Sequence, residues 1–187
     1  VWLLASKPAR GMRAMHAAIL AELGVTLSST GRGRTLREQW HGFGGNQHRY
    51  IPCTKAEFDA ASEPKKDPPR KQWHQSDRDR VRAALSDLDI PDEEFWIKKR
   101  KRNGNFPATA ASPGTSPHGQ WCADDLAIGP FPRADSIGFH SEVGQWLFAH
   151  EKEFGFGHGL STEAWHVQWF MGDVMPQRVL DFEQEHG

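Results

Sequence analysis

The 187-residue sequence has little cysteine, a single tyrosine, no long apolar run and almost no net charge. Its two cysteines, Cys53 and Cys122, form at most one disulfide, which excludes a cystine-stapled scaffold for a chain of this length. No apolar stretch approaches the ~20 residues that span a bilayer, so we expect no transmembrane helix. The formal net charge of -1 indicates no general attraction to polyanions, and we expect no dedicated nucleic-acid binding.

The rest of the composition is that of an ordinary globular protein, with 37% hydrophobic and 25% charged residues. The length suits one domain, and we predict a single, monomeric domain over residues 1–187. Pro, Lys, Asp and Arg crowd the chain after Ser62, which favours an insertion at about residues 62–105. The chain begins with Val1 and has no signal-peptide core, so we expect it to be part of a modular protein.

Hydrophobic periodicity predicts an amphipathic helix over residues 8–23 that ends at Gly24. Its predicted buried face comprises Met12, Met15, Ile19, Leu20 and Leu23. Alternating side chains predict strands from Trp121 and from Ala164, separated by a helix capped by Ser141. In the first of these strands, Asp125 and Asp124 would point to opposite faces of the sheet.

Two short spacings could build a metal site. His118 precedes Asp125 by seven residues, and Glu163 precedes His166 by three. A zinc hydrolase needs about three His or carboxylate ligands, an open position for water and a nearby carboxylate base, and these four residues supply that set. Both spacings also occur elsewhere in this histidine-rich chain, so spacing alone leaves a structural role open.

The surrounding residues carry a family resemblance. "PGTSPHGQWCADDL" and "STEAWHVQW" resemble the two signatures of the VanY-like zinc peptidases (peptidase family M15), which include D-alanyl-D-alanine carboxypeptidases and phage endolysins. These signatures are Ser-x-His-x2-Gly-x-Ala-x-Asp and Glu-x2-His. "GRGRTLREQ" is similar to a third, weaker element, in which Gln39 follows Arg34 by five residues. This chain departs from the family with Trp121 in place of Gly, Gly33 in place of an aromatic residue and Ala164 in place of Pro.

The resemblance implies an α+β fold of the Hedgehog and D-Ala-D-Ala peptidase type. A small, mainly antiparallel sheet would carry the zinc site, and helices would pack on one side of it. It also implies one zinc ion bound by His118, Asp125 and His166, with Glu163 as the catalytic base. Further residues would contact the substrate: Arg34 as the oxyanion-stabilising cation, with Ser116, Gln39 and Trp121 as binding residues.

The implied function is hydrolysis of a peptide bond in bacterial peptidoglycan by a phage endolysin. Such an enzyme is made in the host cytoplasm and acts on the cell wall. L-alanyl-D-glutamate, D-alanyl-D-alanine and cross-bridge bonds all stay open as targets. One alternative is a secreted or wall-associated carboxypeptidase in cell-wall remodelling, and another is a non-catalytic wall-binding relative. The basic run "IKKRKR" at residues 97–102 is the one feature that favours a nucleic-acid binder.

Overall fold

The computed structural model describes residues 4–31, 33–45, 49–61, 73–105 and 110–187. Within these ranges the chain forms six α-helices, one 3₁₀ helix at Glu151–Phe154 and seven short strands. The helices are α1 (Ser6–Leu23), α2 (Leu36–Phe43), α3 (Lys55–Ala60), α4 (Gln75–Ala84), α5 (Glu142–His150) and α6 (Gln177–His186). The strands are β1 (Leu27–Ser29), β2 (Tyr50–Cys53), β3 (Phe95–Lys98), β4 (Ala123–Ile128), β5 (Asp135–Ser136), β6 (Phe156–Gly157) and β7 (His166–Trp169). None of the helices so described combines the length and apolar character needed to cross a membrane.

The chain divides into two compact units, one of residues 1–33 and 120–187 and the other of residues 34–119. The prediction of a single domain with an insertion at about residues 62–105 stays a prediction, and residues 62–72 lie outside the described ranges.

The first unit contains a five-stranded antiparallel sheet in the order β1-β4-β7-β6, with β5 also paired to β4. Helices α1, α5 and α6 contribute to one apolar core with the inward side chains of this sheet. The predicted α+β fold with a small antiparallel sheet is therefore confirmed. Strand β4 is the central strand, because β1, β5 and β7 all pair with it.

Helix α1 ends as predicted. Gly24 adopts a left-handed conformation at φ 68°, and its N–H donates to the Leu20 carbonyl. Met12, Met15 and Ile19 are fully buried, but Leu20 is 49% exposed, so its placement on the buried face was wrong. Each helical residue advances about 100° around the axis, which carries Leu20 past the edge of the stripe that Ile19 still occupies.

The second unit has its own aromatic core beneath the antiparallel pair β2-β3. Trp40 stacks on Trp73 with 5.4 Å between ring centroids, and Trp96 meets both edge-on. Helix α2 begins with a capping box, in which the Thr35 side chain accepts from the Glu38 N–H. The basic run continues from β3 into an exposed turn at residues 99–102.

Candidate metal centre

The pairing of β4 with β7 brings two of the predicted ligands together. In this antiparallel register Asp125 lies directly opposite His166, so both side chains emerge on the same face of the sheet. The His166 Nδ1 and Asp125 Oδ1 atoms are 3.0 Å apart. The His166 side chain is 5% exposed and that of Asp125 is 19% exposed, so the pair is largely shielded from solvent.

Among the residues that the structure describes, His118, Asp125 and His166 form a group with metal-binding geometry. One potential ligand atom from each of the three lies within 4.8 Å of the others. A tetrahedral centre with bonds of about 2.0–2.1 Å holds its ligand atoms about 3.3 Å apart, which is close to the 3.0 Å between His166 Nδ1 and Asp125 Oδ1. Two imidazoles and one carboxylate form a donor set that Zn²⁺ accepts, and three protein ligands leave one position open. The residues present therefore fit a zinc ion.

The adjacent carboxylates Asp124 and Asp125 have different surroundings, as the alternation of a strand requires. Asp124 is fully buried, and Ser29 on β1 donates its hydroxyl to Asp124 Oδ1 at 2.6 Å. Asp125 is in the metal-binding group and Asp124 is not. The structure thus gives Asp124 a contact inside the sheet and leaves Asp125 as the carboxylate that faces the other ligands.

Gly31 is a site residue that the sequence did not reveal. The Asp125 carbonyl accepts hydrogen bonds from the Thr30 N–H at 2.8 Å and the Gly31 N–H at 3.4 Å. This contact holds the Gly31 backbone against the Asp125 side chain, and a Cβ at position 31 would lie 1.9 Å from Asp125 Oδ2. Only glycine allows the carboxylate to occupy its observed position. In the sequence, Gly31 was one glycine of a polar loop with no local signal of this contact.

Glu163 occupies the turn that leads into β7. Its N–H donates to the Leu160 carbonyl at 3.3 Å, and its own carbonyl accepts from the His166 N–H at 3.1 Å. Glu163 is half-buried, and the hydrogen-bonded turn fixes its backbone relative to His166. The predicted strand from Ala164 begins two residues later, at His166, because this turn uses the preceding backbone groups.

Within the second unit, Arg34 and Gln39 are tied to the segment that carries His118. The Arg34 N–H donates to the His118 carbonyl at 2.9 Å, and the Arg34 side chain is exposed. The buried Gln39 amide donates to the Arg34 carbonyl at 3.0 Å and accepts from the Gly114 N–H at 2.8 Å. Gln39 therefore organises the backbone around Arg34 and His118, and its predicted contact with substrate stays a prediction.

Ser116 begins the turn before His118. Its carbonyl accepts from the Gly119 N–H at 2.8 Å, and the residue is 8% exposed. A Cβ at Gly119 would lie 2.2 Å from the Gln39 amide nitrogen, so this turn packs directly on the Gln39 side chain. The observed contacts of Ser116 shape the turn, and its predicted role in substrate binding also stays a prediction.

Trp121 has the only left-handed φ of a described non-glycine residue, at 59°. This conformation excludes Trp121 from β4, which begins two residues later than the alternation suggested. The indole lies against Gly33, where an added Cβ would be 2.2 Å from Trp121 Cε3. Glycine at 33 and tryptophan at 121 are therefore one packing arrangement. The indole remains 36% exposed and is available to a ligand.

Comparison with models of known protein families finds no match. Comparison with curated proteins likewise finds none.

Solved structures to which this chain is similar include VanYB in complex with D-alanine-D-alanine, at 19% identity and a TM-score of 0.44, covering 97% of this chain and 77% of that one. A mutant of the vancomycin resistance D,D-pentapeptidase VanY in complex with Zn(II) has 21% identity and a TM-score of 0.42, covering 89% and 72%. The LdcB LD-carboxypeptidase, described with its recognition of peptidoglycan, has 17% identity and a TM-score of 0.41, covering 97% and 71%. Two of these three are thus named as peptidases, one D,D and one LD.

Proposed function

We propose that this protein is a zinc-dependent peptidase that hydrolyses a peptide bond in the stem peptides of bacterial peptidoglycan. The observation that carries the proposal is the grouping of His118, Asp125 and His166, with Asp125 and His166 paired across two central strands. Ligands on a sheet are held more rigidly than ligands on loops, which suits a site that must keep one coordination position open.

Each residue then has a chemical role. A bound zinc ion would polarise the substrate carbonyl and lower the pKa of water to about 7. Glu163 would accept the proton of the attacking water on its carboxylate and later donate it to the amine nitrogen of the leaving group. Arg34, whose side chain is exposed, would bind the substrate carbonyl oxygen through its planar, permanently charged guanidinium.

The substrate class is supported by the sequence motifs around His118 and His166, which resemble those of peptidases that act on the cell wall. Within that class we favour a phage endolysin, produced in the host cytoplasm and released onto the wall as a monomer. An endopeptidase that cuts within the stem peptide and a carboxypeptidase that removes its terminal residue use the same ligands and base. Trp121, whose indole is exposed, occupies the motif position at which the resembled family has glycine.

The decisive experiment combines zinc binding with digestion of purified peptidoglycan. Wild-type protein should bind one zinc ion and release fragments whose masses identify the bond cut. Glu163→Gln should keep zinc affinity within about threefold but lower the cleavage rate by about 10²–10⁴-fold, the usual contribution of a general base. Glu153→Gln is the matched control, because Glu153 is an exposed carboxylate of the same unit that pairs with His150.

Two results would contradict the proposal. One is a wild-type protein that binds no zinc at micromolar concentrations. The other is a Glu163→Gln protein that cleaves peptidoglycan at the wild-type rate. Retained zinc binding with no cleavage of any peptidoglycan by the wild type would instead support the non-catalytic wall-binding relative.

A further inference from the structure

A buried ion pair lies behind the Glu163 turn. The His158 Nδ1 and Glu151 Oε2 atoms are 2.6 Å apart, and these side chains are 6% and 3% exposed. The His158 backbone N–H also donates to Glu151 Oε1 at 3.0 Å, so the carboxylate holds both the main chain and the ring of His158. A pair this deeply buried is costly to form unless its geometry is good, and this one has two contacts from a single residue.

Both ring nitrogens of His158 face hydrogen-bond acceptors. The Nε2 atom lies 3.0 Å from the Ala164 carbonyl, opposite the nitrogen that faces Glu151. The Nδ1 contact with Glu151 is a close ion pair without hydrogen-bond geometry, whereas Nε2 lies within hydrogen-bond distance of the Ala164 carbonyl. An imidazolium, or a neutral ring with its proton on Nε2, donates to that carbonyl. Burial opposes the charged ring, but the contacts with Glu151 and Ala164 and the charge of Glu151 outweigh it and raise the pKa of His158 above its ordinary value.

Three described residues contact this ring. Glu151 faces it from the 3₁₀ helix, the uncharged Phe148 ring of α5 stacks on it at 3.9 Å, and the Ala164 carbonyl faces it from the turn before β7. The neighbouring Glu153 carboxylate contacts His150 instead, at 2.8 Å, and both of those side chains are largely exposed.

Ala164 links the ion pair to the candidate site, because it lies between Glu163 and His166 in the chain and is itself fully buried. We propose that His158, held by Glu151, is a positioning residue that fixes the Glu163 turn through the Ala164 carbonyl. The inference rests on the proposed function, since it assigns the ion pair to the placement of the base. In this role His158 and Glu151 act on the candidate site through one backbone oxygen, that of Ala164.

The test compares His158→Gln and Glu151→Gln with His150→Gln, a matched control in the exposed ion pair one turn away. In zinc-free protein, hydrogen exchange of the Glu163 and His166 amides should accelerate about tenfold or more in His158→Gln and stay unchanged in the control. In peptidoglycan hydrolysis, kcat should fall by about 10–100-fold with KM within about threefold, the effect expected when a supporting group is removed. His150→Gln should keep wild-type kcat.

The pH dependence has a defined sign. A histidine with a raised folded-state pKa stabilises the fold fully below its unfolded value of about 6.5, and the stabilisation is lost as the pH rises through the folded value. The difference in free energy of unfolding between wild type and His158→Gln should therefore be largest below about pH 6.5 and shrink above it. Nitrogen NMR of the wild-type imidazole should show a proton on Nε2, the atom that faces the Ala164 carbonyl.

Each outcome decides the inference. Unchanged exchange at Glu163 and His166 in a folded His158→Gln protein overturns it, as does a wild-type His158 whose Nε2 atom carries no proton. If His158→Gln does not fold, Glu151→Gln and the wild-type NMR measurement decide in its place. If the wild type cleaves no peptidoglycan, the proposed function fails, but the exchange and NMR results still show whether His158 positions the turn.

Discussion

Gly31 offers a sharp test of the candidate metal centre, because it is not one of the three candidate ligands but packs against one of them. A Cβ at this position would lie 1.9 Å from Asp125 Oδ2, 2.4 Å from its Cγ and 2.5 Å from its Cβ. Ordinary van der Waals contact begins at 3.4 Å, so the Gly31→Ala side chain and the carboxylate overlap by about 1.5 Å. The backbone at Gly31 is not in the left-handed region, so alanine adds a steric conflict and no conformational one.

Rotation of the Asp125 carboxylate alone does not resolve the conflict, because the Asp125 Cβ lies 2.5 Å from the added atom and moves only with the backbone. The Asp125 backbone and its carboxylate must therefore both shift. Metal bonds tolerate shifts of only about 0.2 Å, so a displacement of about 1.5 Å removes Asp125 as a ligand. We expect zinc affinity to fall by about 100-fold, equivalent to about 2.7 kcal/mol. The zinc-free protein should lose about 1–3 kcal/mol of stability from overpacking.

The assay is competition for zinc with a chromophoric chelator, with thermal melting of the zinc-free protein measured in parallel. Asp125→Ala sets the limit for complete loss of the ligand. Gly138→Ala is the control, because an added Cβ there meets no atom within 4 Å, and it should match wild type in both measurements. A folded Gly31→Ala protein that binds zinc within about threefold of wild type would refute the assignment of Asp125 as a ligand.

Two further predictions concern the neighbours of the site. Ser29→Ala removes a donor from the buried Asp124 carboxylate, so it should lower the free energy of unfolding by about 1.5–3 kcal/mol and leave zinc affinity unchanged, as chemical denaturation and chelator competition would show. Gly33→Ala should destabilise the wild type but not the Trp121→Gly variant, because that variant lacks the indole that the added Cβ would meet. A double-mutant cycle in chemical denaturation should give a coupling energy of about 0.5–3 kcal/mol, and additivity within about 0.3 kcal/mol would show that the two residues do not pack together.

The features that could be predicted from sequence are those encoded by neighbours in the chain. The end of α1 at Gly24 follows from the left-handed conformation that glycine adopts without cost, and the start of α5 follows from Ser141, whose hydroxyl accepts from the Gly144 N–H at 3.1 Å. The opposite orientations of Asp124 and Asp125 follow from the two-residue period of a strand. Each of these signals involves residues only a few positions apart, so it can be read from one sequence without knowledge of the fold.

The misplaced boundaries have local causes of another kind. The strand predicted from Trp121 begins at Ala123 because Trp121 adopts φ 59°, which costs about 1–3 kcal/mol for a non-glycine residue and gives no sign of itself in the alternation. The strand predicted from Ala164 begins at His166 because the Glu163 carbonyl captures the His166 N–H in a turn. In both cases apolar and polar side chains alternate as in a strand, but the backbone of the first two residues adopts a conformation outside the strand.

The residues that sequence reasoning missed are defined by partners far along the chain. Gly31 matters because of Asp125, and no spacing in the sequence marks that contact. Gly33 and Trp121 stand out in the sequence only as separate departures from the family motifs, and nothing there shows that they contact each other. The sequence gives no sign of a role for His158, since its ring connects Glu151 to the Ala164 carbonyl only after the chain has folded. A motif specifies which atoms react, but the position of those atoms to within a fraction of an ångström depends on contacts of this second kind. We therefore expect substitutions at Gly31 and His158 to impair the centre, although neither residue is a proposed ligand or the proposed base.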